Sequence, residues 1–119
     1  MQEPKRNTDI NSLVPYVAAR VQRILAAMER LGYDPQIFEA RRSYTRQLWL
    51  YGYGRIHHRG QSKKTWTMNS KHLVGKAVDI VSRSRWWAWP EFFLVLGREA
   101  EKEGMHNLAP HELCHIQYG

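Results

Sequence analysis

The sequence predicts a small α+β domain in which helices pack on a short antiparallel sheet. Three apolar segments have helical spacing, and shorter segments with β-branched residues have the character of strands. Their order along the chain is that of an α+β fold. The chain has 119 residues, enough for one hydrophobic core and too few for two. We therefore expect one domain over residues 1–119, in which the polar residues 1–11 are flexible.

The first helix is predicted over about residues 13–31. Its apolar residues recur at helical intervals: Val14, Val17, Ala18, Val21, Ile24, Leu25, Met28 and Leu31. Pro15 suits the first turn of this helix, and Gly32 suits the position that follows its last turn. Asp34-Pro35 then predicts a turn.

A short strand is predicted over residues 36–42, which contain several apolar side chains. Ser43 is a suitable N-cap for a second helix over about residues 44–52. We expect this helix to bury Leu48 and Tyr51.

A long loop is predicted over residues 53–71, which are rich in Gly, Lys, Arg, Ser and Thr and leave room for one short strand at 65–68. A loop of this length in a small domain more often forms one wall of a functional site than a simple linker. After it we expect a strand at 76–81, a helix that begins at Pro90 and runs to Gly104, and a final strand at 112–118.

The composition excludes several classes of protein. Hydrophobic residues make up 43% of the chain, which excludes a disordered protein. The single cysteine excludes an intramolecular disulfide, and the absence of an apolar stretch of about 20 residues argues against a membrane span. Residues 1–7 lack the apolar run of a signal peptide, so we expect the protein to be made and kept in a cytoplasm.

The chain is strongly basic, with a formal net charge of +7 and a pI near 9.9. Such a charge predicts attraction to a polyanion. Nucleic acid, anionic lipid and bacterial cell wall are all compatible with it, and the charge alone does not distinguish them.

The most informative segment is residues 70–79, which read SxHxxGxAxD. His72 is predicted in a loop, Gly75 permits a tight turn, and Asp79 lies on the following strand. If the turn folds back, the histidine and the carboxylate can reach one metal ion. The alternative is a surface histidine that happens to precede a strand aspartate.

A second carboxylate–histidine pair, Glu112 and His115, follows near residue 119. His72, Asp79 and His115 together supply two imidazoles and one carboxylate, a ligand set typical of catalytic zinc with one position left for water. Glu112 is then available to take the proton of that water.

Residues 111–115 also read HELCH, which matches the helical HExxH motif of zinc proteases. Pro110 disfavours a continuous helix through this segment, so His111 and His115 need not share a face. No downstream segment supplies a third ligand. We therefore favour the SxHxxGxAxD and ExxH combination, in which His111 is not a ligand.

These motifs together resemble the zinc peptidases that cut the stem peptides of bacterial peptidoglycan. The group includes D-alanyl-D-alanine carboxypeptidases and the L-alanyl-D-glutamate endopeptidases of phage endolysins. Residues 42–55, RSYTRQLWLYGYGR, are also similar to the RSxxRQxxLYxxGR block of this family, and the resemblance extends over about residues 13–117. It implies a DD-peptidase-like fold, also called hedgehog-like.

The resemblance implies a role for each matching residue. The metal ligands would be His72, Asp79 and His115, and Glu112 would be the catalytic base. Arg42 would stabilise the carbonyl oxygen of the scissile bond, and Gln47 and Ser70 would line the substrate cleft. The sequence departs from the family where Leu113-Cys114 precede His115 and where residues 105–107 replace a tryptophan-glycine stretch, which leaves the substrate specificity open.

Some of these residues also have simpler interpretations. Arg42 could belong to a solvated basic face, and Gln47 could be structural. Cys114 is more often a small buried hydrophobe than a ligand. The tryptophans before Pro90 could form a sugar-binding wall, but packing in the core is the favoured interpretation for Trp86, Trp87 and Trp89.

The resemblance therefore predicts a monomeric zinc metallopeptidase, with one Zn²⁺ per chain, that hydrolyses an amide bond of the peptidoglycan stem. We expect an L-alanyl-D-glutamate endopeptidase that acts as a phage endolysin, held in the host cytoplasm until the membrane is permeabilised. The alternative within the enzyme class is a D-Ala-D-Ala carboxypeptidase or dipeptidase. The alternative from another class is a basic nucleic-acid-binding module, which has no recognisable motif here and leaves the two carboxylate–histidine pairs unexplained.

The choice between the two histidine motifs is testable by metal content. His72→Ala is expected to abolish stoichiometric zinc binding, whereas His111→Ala is expected to retain it, as measured by elemental analysis of the purified proteins. The reverse result would support the helical HExxH motif.

Overall fold

The computed structural model describes residues 2–65, 68–108 and 112–119. Its helices are α1 (Pro15–Arg30), α2 (Tyr44–Gly52) and α3 (Pro90–Lys102), and its strands are β1 (Pro35–Glu39), β2 (Ala77–Ser82), β3 (His106–Leu108) and β4 (Glu112–Gln117). Two short 3₁₀ turns, Ile10–Ser12 and Lys71–Val74, complete the regular structure of this part of the chain.

Every predicted helix is present, as are the predicted strands at β1, β2 and β4, with bounds that differ by a few residues. Strand β3 was not predicted, because its three residues are too few to show a periodic pattern. The short strand suggested at 65–68 falls largely on Trp66 and Thr67, which lie outside the described residues.

The four strands form one antiparallel sheet in the order β1-β2-β4-β3. Helices α1 and α3 contact each other and the sheet through a continuous core. The largest fully buried apolar side chains are Phe92, Ile24, Met28, Ile80, Leu96, Met105 and Ile116. This arrangement confirms the predicted α+β class with helices on a short antiparallel sheet.

The prediction that α2 buries Leu48 and Tyr51 is wrong for Leu48, and Tyr51 is only partly buried. Leu48 is 50% exposed, whereas Arg46, Gln47, Trp49 and Leu50 are buried. The helix has this orientation because Arg46 points inward to a buried carboxylate, Glu39, with which it forms an ion pair. The buried side of α2 therefore combines two polar residues, Arg46 and Gln47, with Trp49 and Leu50, and Arg46 connects the helix to the end of β1.

Residues 2–12 lie against the domain. The amide of Ala40 donates to the carbonyl oxygen of Asn7 over 2.7 Å, and the Arg46 guanidinium binds Glu3 at 2.6 Å. None of the helices in the described part of the chain has both the length and the apolar composition needed to cross a bilayer.

The turn Lys71–Val74 ends at Gly75, which holds a φ of +72°. Its carbonyl oxygen accepts a hydrogen bond of 3.0 Å from the amide of Val14. A Cβ atom at Gly75 would lie 3.1 Å from that same backbone nitrogen and 3.3 Å from the carbonyl oxygen of Ser12. The turn is therefore docked directly on the backbone that precedes α1.

Gly75→Ala is expected to lower the free energy of unfolding by about 1–3 kcal/mol, because it adds a side chain at a left-handed φ and against backbone atoms that cannot move aside. Chemical denaturation measures the change. Gly97→Ala is the matched control, since its Cβ would meet only ordinary contacts, the nearest at 3.7 Å. It should leave stability unchanged or raise it by up to about 1 kcal/mol, as Ala is the better helix former. Equal effects at the two glycines would contradict this account.

Candidate metal centre

Three potential ligands converge beside the sheet. Asp79 on β2 pairs directly with His115 on β4, so both side chains lie on the same face of the sheet. The 3₁₀ turn before β2 places His72 over them. One ligand atom from each residue can be chosen such that all three lie within 4.8 Å of one another. The structure thus brings together the three residues that were predicted as metal ligands from two motifs far apart in the sequence.

Both imidazoles are oriented by hydrogen bonds on their far sides. His72 Nδ1 is 2.8 Å from the carbonyl oxygen of Ala40, which can only accept, so Nδ1 carries the proton. His115 Nε2 is 2.9 Å from Gln117 Oε1. The Gln117 amide nitrogen donates to Gly119, which fixes its oxygen toward the histidine. Metal-binding histidines usually have such partners.

The remaining nitrogens face the carboxylate. His72 Nε2 and His115 Nδ1 each lie 3.3 Å from Asp79 Oδ1. In neutral imidazoles with the tautomers assigned above, both nitrogens present a lone pair toward an anionic oxygen. That arrangement is repulsive unless a proton or a cation lies among the three atoms. Two imidazoles and one carboxylate are a donor set that suits zinc with an open position.

The pKa values of Asp79 and His115 are shifted by the interaction between the carboxylate and the imidazoles. Burial alone would raise the pKa of the Asp79 carboxyl, but hydrogen bonds and charge from His115 and His72 outweigh burial and hold that pKa below its usual range. Burial alone would lower the pKa of His115, whereas Asp79 raises it and the net pKa is raised. The centre therefore favours an anionic carboxylate and a positive charge next to it.

Arg42 lies at the edge of this centre and is held on two sides. Its Nη2 is 2.7 Å from Glu39 Oε1, its Nη1 donates to Gln47 Oε1 over 2.7 Å, and Nη2 is 3.9 Å from Asp79 Oδ2. Its side chain is only 9% exposed. A solvated basic face, the alternative considered for Arg42, is therefore excluded by this geometry.

A bulge in β1 brings Glu39 to the site. Ile37 pairs with Ile80 and Glu39 pairs with Asp79, so β1 contains one residue more than β2 at this point. In a regular ladder Phe38 would oppose Asp79, and Glu39 would point to the other face. Because of the bulge, Glu39, Asp79 and His115 form a row across three strands.

Glu112 lines the same cleft as His115, although a regular strand would point residues three apart to opposite faces. β4 is irregular here: Asn107 on β3 pairs with Ile116, and the next residue, Leu108, pairs with Glu112. The Asn107 amide donates to the carbonyl oxygens of Leu113 at 2.7 Å and His115 at 3.3 Å. This bulge is what allows the acidic residue and the histidine to face one cavity.

The cleft has a volume of about 740 Å³. Its walls include the metal centre, Arg42, Glu112 and Ser70. The Ser70 hydroxyl also accepts from the amide of His72 at 3.1 Å and so caps the 3₁₀ turn. Gln47 is fully buried, and its contact with Arg42 places it behind the wall. The roles of Ser70 and Gln47 in substrate binding stay predictions.

The segment Glu112–Gln117 is a strand, so its residues do not belong to a helical HExxH motif, while His111 and Pro110 lie outside the described residues. Cys114 is partly buried, and burial, followed by the charge of Asp79, raises the pKa of its thiol to about 12. A protonated thiol is a poor metal ligand, in agreement with its interpretation as a small apolar residue.

Sequence reasoning missed three residues that shape the centre: Glu39, Asn107 and Gln117. Glu39 precedes Arg42 by three positions and Arg46 by seven, a spacing that could have suggested an ion-pair cluster. Gln117 follows His115 by two positions, which on a strand places both side chains on one face. No sequence signal reveals the role of Asn107, because that role depends on the β4 bulge.

The tryptophan prediction was wrong in part. Trp89 is partly buried and packs on Tyr33 and Phe92. Trp86 and Trp87, in contrast, are 47% and 50% exposed, and Trp87 lies on the wall of the cleft.

No protein-family model matches the sequence, and no curated protein matches it. Solved structures do share its fold. VanYB in complex with D-alanine-D-alanine superposes with a TM-score of 0.75 at 17% identity, over 99% of this chain and 78% of that one. The LdcB LD-carboxypeptidase gives a TM-score of 0.71 at 21% identity over 89% of this chain, which spans 58% of the LdcB chain.

The L-Ala D-Glu endopeptidase ChiX of Serratia marcescens gives a TM-score of 0.62 at 21% identity, over 98% of this chain and 92% of that one. At these identities the comparison establishes a common fold. The DD-peptidase-like fold that the sequence motifs implied is therefore confirmed.

The hydrogen bond between Gln117 and His115 predicts a graded effect on metal affinity. Gln117→Leu is expected to weaken zinc binding by about 10- to 100-fold, because His115 Nε2 loses the acceptor that orients its ring. Gln117→Glu keeps an acceptor and should retain most of the affinity. Competition with a chromophoric chelator measures both, and identical affinities in the two variants would show that this contact does not act on the metal.

Proposed function

We propose that the protein is a zinc metallopeptidase that hydrolyses an amide bond in the stem peptide of bacterial peptidoglycan. The observation that carries this proposal is the convergence of His72 Nε2, Asp79 Oδ1 and His115 Nδ1 at one side of an open cleft. Structures that share the fold include a peptidoglycan LD-carboxypeptidase, a D-alanine-D-alanine complex and an L-Ala D-Glu endopeptidase, which supports the same class of reaction.

In this proposal His72, Asp79 and His115 hold the metal. Zinc, when bound, would supply an acidified water and a Lewis acid for the scissile carbonyl. Glu112, on the cleft wall, accepts the proton of the attacking water and delivers it to the leaving amine. Arg42 opposes the negative charge that develops on the carbonyl oxygen.

Arg42 can do this only if its guanidinium stays in place as charge develops. Glu39 and Gln47 hold both terminal nitrogens at 2.7 Å, so little reorganisation is required during the reaction. A preorganised cation of this kind contributes more than a flexible surface arginine. Glu39 and Gln47 are positioning residues in this mechanism.

The bond that we propose is the L-alanyl-D-glutamate bond, cut during phage lysis of a bacterial host. ChiX has this specificity, and the match covers 98% of the present chain and 92% of ChiX, so the two domains are of similar extent. In this role the protein would remain in the host cytoplasm until the membrane is permeabilised. Its net charge of +7 would then attract it to the anionic wall.

Cleavage of D-Ala-D-Ala is the alternative that a specific observation favours, since VanYB with that dipeptide has a TM-score of 0.75 to this chain. Mass spectrometry of digested peptidoglycan distinguishes the two. A new L-alanine carboxyl terminus identifies the endopeptidase reaction, and release of free D-alanine identifies the alternative.

The roles of Glu112 and Arg42 are testable by substitution. Glu112→Gln is expected to lower kcat by about 10²–10⁴ with zinc retained, and Arg42→Ala by about 10²–10³. Hydrolysis of purified peptidoglycan measures both effects. Exposed residues of the same types provide matched controls, Glu29→Gln and Arg41→Ala, which should behave as the unsubstituted protein.

Two outcomes would contradict the proposal. Equal hydrolysis by Glu112→Gln and the unsubstituted protein would remove Glu112 from the mechanism. A protein that binds no zinc, but binds DNA with an affinity that falls steeply with salt, would favour the basic nucleic-acid-binding module instead.

A further inference from the structure

Trp86 and Trp87 form an exposed aromatic surface that the proposed mechanism does not use. They are 47% and 50% exposed, and their rings are nearly parallel, 23° apart, with centroids separated by 6.2 Å. At that separation the two indoles are offset rather than covered by each other. Large exposed aromatic side chains next to a cleft are a typical feature of binding surfaces.

The backbone holds Trp86 in an unfavourable conformation. Its φ is +54°, and it closes a tight turn in which Ser82 and Trp86 exchange both backbone hydrogen bonds, at 2.9 and 3.3 Å. Glycine or asparagine would occupy this left-handed position at lower cost than a bulky side chain. Strain of this kind is characteristic of positions where function constrains the residue.

Trp87 lies on the wall of the cleft that contains the metal centre and packs against its neighbours there. Its ring meets Phe38 edge to face with centroids 4.8 Å apart, and the guanidinium of Arg6 lies over the Phe38 ring at 3.8 Å. Cys114, the neighbour of His115 in sequence, lines the same cleft as Trp87. Trp87 is therefore packed against Phe38 and forms the part of the aromatic surface that lines the cleft, and Trp86 extends this surface beyond it.

We propose that Trp86 and Trp87 bind a sugar ring of the glycan strand, the N-acetylmuramyl residue that carries the stem peptide being cut. This inference rests on the proposed function. The apolar C–H face of a pyranose packs well against a flat indole, and its hydroxyl groups remain in water. A stem peptide in the cleft would bring its own sugar to this surface by covalent connection.

The covalent structure of peptidoglycan makes the inference specific for one bond. A single L-alanine separates the L-alanyl-D-glutamate bond from the lactyl group of the sugar, a reach of about 3.5 Å. The D-Ala-D-Ala bond lies four residues from that group, a reach of about 14 Å. Cleavage at the first bond therefore keeps the sugar much closer to the metal centre than cleavage at the second, and Trp87 lies on the wall of the same cleft.

The test compares two substrates that both contain the two candidate bonds, N-acetylmuramyl-pentapeptide and N-acetyl-pentapeptide without the sugar. The zinc-loaded protein is expected to cut the first with a kcat/KM roughly 5- to 10-fold higher, mostly through KM. Trp87→Ala should bring this ratio toward one, and Trp87→Phe should retain part of it. Leu94→Ala, which removes an exposed apolar side chain on α3, should keep the full ratio. Circular dichroism confirms that each variant is folded.

A ratio near one for the unsubstituted protein, or a ratio that survives Trp87→Ala, would overturn the inference and leave the peptidase proposal intact. Hydrolysis of neither substrate would overturn the peptidase proposal. In that case calorimetric titration with the GlcNAc–MurNAc disaccharide decides the inference by itself. Binding that is lost in Trp87→Ala upholds the aromatic surface as a sugar site, and absence of binding refutes it.

Discussion

The pairing of β2 with β4 is the constraint on which the candidate centre depends. It sets Asp79 opposite His115 at the middle of the sheet, with the buried core beneath them. The β1–β2 and β3–β4 ladders are each interrupted by one irregularity. Where they pass the centre, a bulge in β1 and a bulge in β4 redirect one side chain each, so that Glu39 and Glu112 join the same face. The regular pairing of β2 with β4 and the two bulges together place the residues of the candidate metal centre on one face of the sheet.

A buried ion cluster connects this face to the rest of the domain. The Glu39 carboxylate binds both Arg42 and Arg46, and Arg46 reaches in turn to Glu3 and to the carbonyl oxygen of Pro4. Burying such charges costs desolvation energy that their attraction only partly offsets, so a stable core would be simpler to build without them. The cluster is better explained by its positioning of the Arg42 guanidinium, which Glu39 and Gln47 hold beside Asp79.

The sequence predicted the elements whose signals are local. Helices α1 and α3 have long periodic apolar stripes with Pro at the start. The motif around His72 and Asp79 is weak by itself and indicates a metal site only in combination with Glu112 and His115. What could not be predicted arises from pairing between distant segments. The register that brings Glu39 to Asp79 depends on an extra residue with no signature of its own. The exposure of Trp87 likewise depends on a turn conformation that composition does not encode, so burial was the reasonable but incorrect expectation.

The bulge at Phe38 has a further consequence for how copies of the protein meet. β1 is one edge of the sheet, and an edge strand offers unpaired backbone groups to any other extended chain. The extra residue of the bulge twists that edge. The amide of Ala40, which follows β1, already donates a hydrogen bond to the carbonyl oxygen of Asn7 and is not available to another chain. The opposite edge, β3, spans three residues and offers little length for pairing. The β1 bulge that brings Glu39 to the candidate metal centre therefore also disfavours strand-to-strand aggregation at this edge of the sheet.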